Sequence, residues 1–378
     1  MPELPIYNCH IHTFTAEHVP DGFSAWGPLL RHRPVVRALG WLLRRVDPWD
    51  SRDLVERYAR LVGLSHFGSQ QEVLEHIRRQ YPASARFVVL PMDLAYMGAG
   101  RPPVDIAEQQ AELLRLAARF PETVIPFCAV DPRRPDALPL ARRWIAAGAR
   151  GVKIYPCLGY YPHDPVLLRL YELLEERGLP VLAHCSPGGI RHKRLSLAAA
   201  AEFAHPRHYE AILRRFPNLR ICLAHFGGGE EWERHLRGET EPAGGERAWV
   251  KWIADLIRSG DYPSLYTDIA YTLFMPGVDR RPFDYFDYLK VLLAHPRLRE
   301  RVLFGSDYYM VTLERMTEKE AGLALRSRLG EALFFQIAHH NPRRYLGEAE
   351  DQAASAAASG ARASAWRKKT QVSATASP

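Results

Sequence analysis

The 378-residue sequence predicts an α/β protein with the (β/α)8 TIM-barrel architecture over residues 1–347. Two observations predict this fold. Eight short apolar segments with strand character alternate with helical segments, and polar residues collect where those strands end. Strict alternation of strand and helix produces parallel strands joined by right-handed crossovers, and eight such units over about 345 residues fit a barrel. A doubly wound open sheet is the competing architecture, but no Gly-x-Gly-x-x-Gly pattern follows a strand.

The predicted strands are short apolar runs bounded by turn-forming residues. In chain order they lie at residues 6–13, 86–91, 124–130, 150–155, 180–184, 219–225, 265–269 and 301–307. Helical patterns follow at residues 104–119, 135–148, 165–177, 245–258, 284–294, 314–327 and 330–340, with further helices up to residue 215.

The strand–helix rhythm is interrupted after the first strand. Residues 13–80 form a helical insertion, with an irregular aromatic loop at 22–28 and helical patterns at 34–46, 51–63 and 69–80. We expect this insertion to cap the barrel, and its aromatic residues are a candidate homodimer contact. Residues 348–378 are rich in Ala and Ser and have no hydrophobic face, so we expect a disordered C-terminal tail.

Composition narrows the class of protein. The 47% hydrophobic and 25% charged content is that of a globular protein with a sizeable core. No apolar run approaches the roughly 18 residues of a membrane helix and no signal-peptide pattern is present, so we expect a cytoplasmic protein without a membrane partner. The five cysteines form no CxxC pair and are expected to be buried, reduced thiols. The net charge of +7 comes without a nucleic-acid-binding motif and favours a small, carboxylate-bearing substrate.

Two histidines at the end of the first strand are the first candidate site residues. His10 and His12 are two residues apart, so they project from the same face of an extended strand. Alone, the pair equally fits two polar residues that close a strand. The other strand ends carry polar residues too: Lys153, Tyr155, His184, His225, Asp268 and Asp307. Because strand ends meet at one rim of a barrel, these side chains predict a Zn²⁺ site, with Mn²⁺ or Fe²⁺ as alternatives.

The motifs around these residues resemble those of the amidohydrolase superfamily. They are His10-Ile-His12, Gly151-Val-Lys-Ile-Tyr-Pro156, Leu182-Ala-His-Cys185, Leu223-Ala-His-Phe-Gly-Gly228 and Leu303-Phe-Gly-Ser-Asp307. The sequence is most similar to the amidohydrolase-related TIM-barrel branch of metal-dependent hydrolases, which includes decarboxylases similar to aminocarboxymuconate-semialdehyde decarboxylase. The segment 341–347 resembles the closing helix of that branch.

The resemblance implies a role for each strand-end residue. His10, His12, His184 and Asp307 are the implied metal ligands. His225 is implied to be the catalytic acid/base, with a ligand role as the second interpretation, and Asp307 is also implied to pass a proton. Lys153 has three interpretations: it binds a substrate carboxylate, bridges two metals after carboxylation, or pairs with an acid at the rim. Tyr155 either contacts substrate or packs the barrel mouth.

The resulting hypothesis is a metal-dependent hydrolase of an amide, ester or lactone in a small substrate. A non-oxidative decarboxylase of a conjugated carboxylic acid needs the same residues and is the first alternative. A barrel that binds a ligand without catalysis is the second. Further residues near strand ends have open roles, as pocket-lining or anion-binding groups or as ordinary turn and loop residues: Asp93, Asp131, Arg191, His192 and Lys193.

Overall fold

The strands of the computed structural model are parallel and pair in chain order. The structure describes residues 4–23, 34, 67–239, 247–272, 285–308 and 317–348. Its strands are β1 Tyr7–Ile11, β2 Arg86–Val89, β3 Val124–Pro126, β4 Cys128–Ala129, β5 Val152–Ile154, β6 Val181–Ala183, β7 Ile221–Leu223, β8 Leu265–Asp268 and β9 Val302–Leu303. They form the sheets β1-β2-β3 and β4-β5-β6-β7-β8-β9.

The third predicted strand is divided into β3 and β4 at Phe127. The backbone N–H of Phe127 donates to Val89 O on β2 (3.1 Å), and that of Cys128 donates to Gly151 O beside β5 (2.9 Å). This short segment therefore joins the two sheets. At the other junction, Cys9 N–H donates to Phe304 O (2.8 Å) and His12 N–H to Tyr308 O (2.6 Å). The eight predicted βα units are thus confirmed, with β3 and β4 sharing one of them.

The helices follow the strands as the apolar periodicity predicts. They are Gln70–Arg78, Ile106–Arg119, Ala137–Ala146, Pro165–Glu176, Leu197–Ala204, Glu210–Arg215, Gly229–Leu236, Trp249–Ser259, Tyr285–Ala294, Pro296–Arg299, Glu318–Leu329, Glu331–Phe335 and Asn341–Tyr345, with a π-helical turn at Gln336–His340. Several begin at side-chain caps: Asp105 accepts from Ala107 N–H (3.0 Å) and Asp164 from Val166 N–H (2.8 Å).

Parts of the predicted insertion and tail fall outside the described residues. Helix Gln70–Arg78 confirms the helical pattern predicted at 69–80. The helices predicted at 34–46 and 51–63 and the tail predicted at 348–378 lie outside the description, except for Pro34 and Glu348. Within the described residues, no helix is long and apolar enough to cross a membrane.

Two apolar clusters enclose the strands. The larger cluster packs the helices onto the outer side chains of the strands. The smaller contains Leu182, Cys222 and Leu303, together with Tyr345 and Leu346 at the end of the last described helix. All five cysteines are buried, as predicted, and none is paired in a disulfide.

Candidate metal centre

His10 on strand β1 and His12, directly after it, face the same buried space, as the i, i+2 spacing predicts. Their ring centroids are 5.3 Å apart, and both side chains are buried. His10 is fixed by a contact from its Nδ1 to Asp268 Oδ2 (2.9 Å), and His12 by a contact from its Nδ1 to Leu90 O (2.7 Å). In both cases the partner is an oxygen that accepts, so Nδ1 carries the proton and Nε2 carries a lone pair.

Asp307 reaches this pair because the chain turns sharply after β9. Asp307 has a left-handed backbone (φ 64°), and its N–H donates to His10 O (2.9 Å). A side chain at Gly305 would collide with Cβ of His10 at 2.8 Å, so the close approach to β1 requires glycine there. As a result, Asp307 Oδ1 lies 3.2 Å from His12 Nε2 and 3.6 Å from His10 Nε2.

His184 and His225 form a second pair beside the first. The Nδ1 atom of His184 is 3.0 Å from Nε2 of His225, and the ring of His225 lies 4.9 Å from that of His10. The outer nitrogens are again engaged by carbonyl acceptors: His184 Nε2 contacts Gly188 O (2.9 Å) and His225 Nδ1 contacts Ala270 O (3.1 Å). The inner nitrogens of both rings therefore carry lone pairs that face each other.

Asp268 holds two of the site histidines in place through hydrogen bonds. Its Oδ2 faces His10, while its Oδ1 accepts the backbone N–H groups of His225 (2.8 Å) and Ala270 (3.0 Å). These contacts fix the ring of His10 and the backbone of His225, which has a left-handed φ of 64°. The sequence placed Asp268 at the rim but gave it no role, because strand position alone does not show which carboxylate faces a ring nitrogen.

Burial favours the neutral form of His10, His184 and His225. It lowers the pKa of His10 and His184 well below the ordinary histidine value, and neighbouring charged groups including Lys153 lower both further. Burial also lowers the pKa of His225, although Asp307 and Asp268 oppose this. For Asp307, burial would raise the pKa, but the adjacent His12, His10 and His225 hold it well below its usual range. The site thus combines neutral imidazoles with an ionised carboxylate.

This donor set fits a divalent cation. The ligand atoms of His10, His12 and Asp307 lie within 4.8 Å of one another. Neutral imidazoles whose second nitrogen donates to an oxygen acceptor are typical of metal-binding histidines. Several lone pairs and one negative charge converge, so a cation there removes their mutual repulsion. A second group joins His10, His225 and Asp268, but the oxygens of Asp268 already accept hydrogen bonds, so we regard Asp268 as a support.

The predicted fourth ligand, His184, is not part of the three-residue group found among the described residues, and its Nδ1 lies 3.0 Å from His225 Nε2. The two predicted substrate-binding residues lie at different depths. Tyr155 lines the cavity, stacks on His184 (ring centroids 4.1 Å apart) and accepts the N–H of Ile190 (3.1 Å). Lys153 is buried below it, with Nζ 3.3 Å from His10 Nε2. Burial lowers the pKa of Lys153 to about 8, against the opposing effect of Asp307 and Asp268.

A cavity of about 560 Å³ opens above the centre. Its floor contains His10, His12, His184, His225 and Asp307, and its apolar walls include Phe14, Phe23, Met92, Met97 and Ile190. The exposed residues Arg191, Lys193 and Glu230 also line it. The sequence did not single out the apolar wall residues, because they are ordinary loop residues until the fold brings them together.

Asp93 and Asp131, for which the sequence left two interpretations, stabilise the loops that follow their strands. Asp93 is paired with Arg134 (2.8 Å), and Asp131 is paired with Arg133 (2.5 Å). Both also accept a backbone N–H two residues ahead, from Ala95 and Arg133. They therefore act as turn residues, which is one of the two interpretations of the sequence.

A buried thiol is excluded as the nucleophile. Cys185 follows His184 in sequence, but its side chain is fully buried, and burial raises its pKa well above the ordinary cysteine value. Such a thiol stays protonated and out of reach of substrate.

Comparisons with known structures agree on the fold. An uncharacterised TIM-barrel protein from Bordetella bronchiseptica is 19% identical, with a TM-score of 0.56 over 92% of this chain and 100% of the other. The 2,6-dihydroxybenzoate decarboxylase from Rhizobium is 14% identical (TM-score 0.51, 91% and 99% covered). A probable 2-pyrone-4,6-dicarboxylic acid hydrolase from Acinetobacter baumannii is 11% identical (TM-score 0.53, 91% and 100% covered). At these identities the likeness establishes the TIM-barrel fold, as predicted, and leaves the reaction open.

Comparison at the level of sequence families is more specific. No curated protein sequence matches this chain significantly. The amidohydrolase family profile matches residues 8–347, which include strands β2 to β9, all of β1 except Tyr7, and all the residues of the candidate centre. The match confirms the resemblance in the motifs and supports an enzyme. The chain belongs to the amidohydrolase family.

Proposed function

We propose that this protein is a metal-dependent hydrolase that cleaves an amide, ester or lactone bond in a small substrate bearing a carboxylate. The observation that carries the proposal is the convergence of His10, His12 and Asp307 on one point at the floor of the cavity. We propose Zn²⁺ as the resident ion, with Mn²⁺ as the alternative. When bound, such an ion supplies polarisation of the substrate carbonyl and activation of a water molecule.

The residues around the centre can handle the protons of this reaction. His225 is neutral, and its Nε2 lone pair faces the cavity floor, so it can accept a proton from the attacking water. The same imidazole can return that proton to the leaving group. Asp307 stays ionised and can hold the ion and orient the water. His184, beside His225, is placed to share the proton or to serve as a further ligand.

The cavity favours an anionic substrate. Arg191 and Lys193 line it, and neither side chain is paired with an acidic residue within the described part of the chain. Lys193 is held by its backbone N–H, which donates to Met97 O (2.8 Å). The loop is therefore anchored while the ammonium group stays available for a carboxylate. Glu230, on the helix that starts at Gly229, adds one opposing charge to the lining.

Decarboxylation is the second candidate, and the apolar wall favours it. Phe14, Phe23, Met92 and Met97 can enclose a planar conjugated ring above the centre. A water molecule would supply the proton that replaces the lost carbon dioxide, and His225 or Asp307 would relay it to carbon. The same residues would serve hydrolysis of an aromatic lactone. The fold does not separate the two reactions, since its structural neighbours include both a decarboxylase and a probable hydrolase.

Metal content and product mass together test the proposal. We expect purified protein to contain one divalent ion per chain by plasma mass spectrometry, and His12→Ala and Asp307→Ala to lose it. A panel of lactones, esters, amides and aromatic acids is then followed by mass spectrometry, where gain of one water marks hydrolysis and loss of carbon dioxide marks decarboxylation. For carboxylate substrates we expect Lys193→Ala to raise KM by up to about fivefold, with Arg194→Ala as the control on the same loop. Absence of metal after reconstitution would overturn the proposal.

A further inference from the structure

The amide of Asn8 connects the two chain segments that carry the candidate ligands. Asn8 lies on β1, two residues before His10, and its side chain is fully buried. Its Oδ1 accepts the backbone N–H of His10 (3.2 Å) and the backbone N–H of Ser306 (3.2 Å), which precedes Asp307. Because backbone N–H groups can only donate, the orientation of the amide is fixed, and Nδ2 must face the other way.

The Nδ2 group meets two hydroxyl groups. It donates to Ser306 Oγ (2.8 Å) and to the hydroxyl oxygen of Tyr81 (3.0 Å). All four hydrogen-bonding positions of the Asn8 amide are therefore used. Tyr81 follows the helix Gln70–Arg78, so the network links β1 and the turn after β9 to a third part of the chain.

A buried carboxylate completes the network. Tyr81 donates its hydroxyl proton to Glu318 Oε2 (2.6 Å), and Glu318 begins the helix Glu318–Leu329. Glu318 is buried and has no cationic partner among the described residues. Burial raises its pKa to about 7, and hydrogen bonds from Tyr81 and Ser306 oppose that rise. The donors thus run in one direction, from the Asn8 amide through the Tyr81 hydroxyl to one carboxylate.

We propose that Asn8, Tyr81 and Glu318 form a positioning unit that holds His10 and Asp307 at the separation needed to bind the metal ion. The inference rests on the proposed function, since it assigns these residues to the same centre. None of the three lines the cavity, so each acts through the ligand segments and not on substrate. The unit extends the support of the site beyond Asp268, to a helix at the other end of the chain.

The direction of the hydrogen bonds predicts how substitutions at residues 8 and 318 should affect each other. Asn8 supplies a donor and Glu318 an acceptor, so the Tyr81 hydroxyl both accepts and donates a hydrogen bond. Asn8→Asp would place a second carboxylate opposite Glu318, and the single hydroxyl proton of Tyr81 could then be donated to only one of the two carboxylates. In the Asn8→Asp background, Glu318→Gln restores a donor to the network. The direction of the hydrogen bonds is then reversed, so that position 318 donates and position 8 accepts. The same change in the wild-type background removes the acceptor.

The experiment measures the Zn²⁺ affinity of the full chain by competition with a chromophoric chelator. Thermal unfolding of each metal-free variant is recorded in parallel. We expect Glu318→Gln and Tyr81→Phe each to weaken Zn²⁺ binding about tenfold. The controls are Glu231→Gln and Tyr171→Phe. Glu231 is also buried but accepts from Trp249 N–H and Arg234, and the Tyr171 hydroxyl donates to Pro162 O. These bonds do not touch the ligand segments, so the controls should keep wild-type affinity.

The decisive comparison is the sign of the Glu318→Gln effect in two backgrounds. We expect it to weaken Zn²⁺ binding in the wild type and to strengthen it in Asn8→Asp. Weakening in both backgrounds would show a simple effect of charge and overturn the positioning unit. Loss of thermal stability with unchanged Zn²⁺ affinity would also overturn it, while the proposed function would stand. A wild-type protein that binds no Zn²⁺ or Mn²⁺ would overturn both.

Discussion

Acceptors on the outer side of each ring determine which nitrogen of every site histidine faces the centre. A carboxylate or carbonyl oxygen faces one nitrogen of His10, His12, His184 and His225. The proton must sit on that nitrogen, which leaves the inner nitrogen free to coordinate. Three of the four acceptors are backbone carbonyls, so the side chain of Asp268 is the one acceptor that a substitution can alter.

Asp268→Asn should invert the tautomer of His10. Backbone N–H groups of His225 and Ala270 hold Oδ1 in place, so the new amide nitrogen must face His10 Nδ1. Two donors would then meet, and His10 would move its proton to Nε2, the atom that faces the centre. We expect about 10- to 100-fold weaker metal binding, measured by chelator competition. Asp131→Asn, at a buried acid that pairs with Arg133, is the matched control. Unchanged affinity in Asp268→Asn would contradict this account of the tautomer.

The loop after β6 is the element that shapes the cavity around His184. Tyr155 holds it by accepting the N–H of Ile190, and the backbone of Gly188 holds the ring of His184. Gly189, between these two anchors, has a positive φ of 105°. A Cβ at this position would collide with the hydroxyl of Tyr155 and would lie 3.1 Å from the ring of His184. The loop can therefore close over His184 only with glycine at residue 189.

Gly189→Ala should destabilise the loop and reduce activity. The left-handed backbone alone costs about 1–3 kcal/mol for a residue with a side chain, and the collision with Tyr155 adds to it. Denaturant unfolding and kcat/KM measure the two effects. Gly188→Ala is the control, because its φ is not in the left-handed region and the nearest atom, Ser186 Oγ, is 3.8 Å away. Equal behaviour of the two variants would contradict the proposed packing.

At the scale of the whole molecule, a cluster of buried neutral histidines makes stability depend on pH. The pKa values of His10, His184 and His225 are lowered in the folded protein. As the pH falls through about 6.5, the unfolded chain binds protons at these histidines and the folded chain does not. The unfolding free energy should therefore fall with decreasing pH. Glu318 acts in the opposite sense, since its raised pKa of about 7 means that its contribution is lost as the pH rises.

Denaturant unfolding of the metal-free protein between about pH 8 and 5.5 measures this dependence. We expect a decrease in the unfolding free energy of roughly 1.4 kcal/mol per pH unit for each histidine that stays neutral, less the opposing contribution of Glu318. His225→Asn should make the dependence shallower and Glu318→Gln should make it steeper. A flat profile in the wild type would show that these histidines titrate normally in the folded state.

Much of the architecture was predictable because local patterns specify it. Apolar strand segments and amphipathic helices can be recognised by the periodicity of their apolar residues. For example, the helix predicted at 104–119 is observed at Ile106–Arg119. The division of the third strand at Phe127 was not predicted, since it depends on hydrogen bonds to both neighbouring strands. The catalytic, metal-binding and substrate-binding roles taken from the motifs stay predictions, as do the dimer contact in the insertion and the disordered tail.

The sequence by itself determined the fold class, the family and the set of polar residues at one rim, because strand order and the carboxyl ends of parallel strands follow from local pattern. Tertiary structure alone decided which of those residues meet. It placed Asp307 against His10 and His12, turned Asp268 away as a support, paired His184 with His225, and buried Asn8 between the two ligand segments. The physical reason is that a hydrogen bond joins residues far apart in the chain, at distances and angles that only the packed barrel fixes.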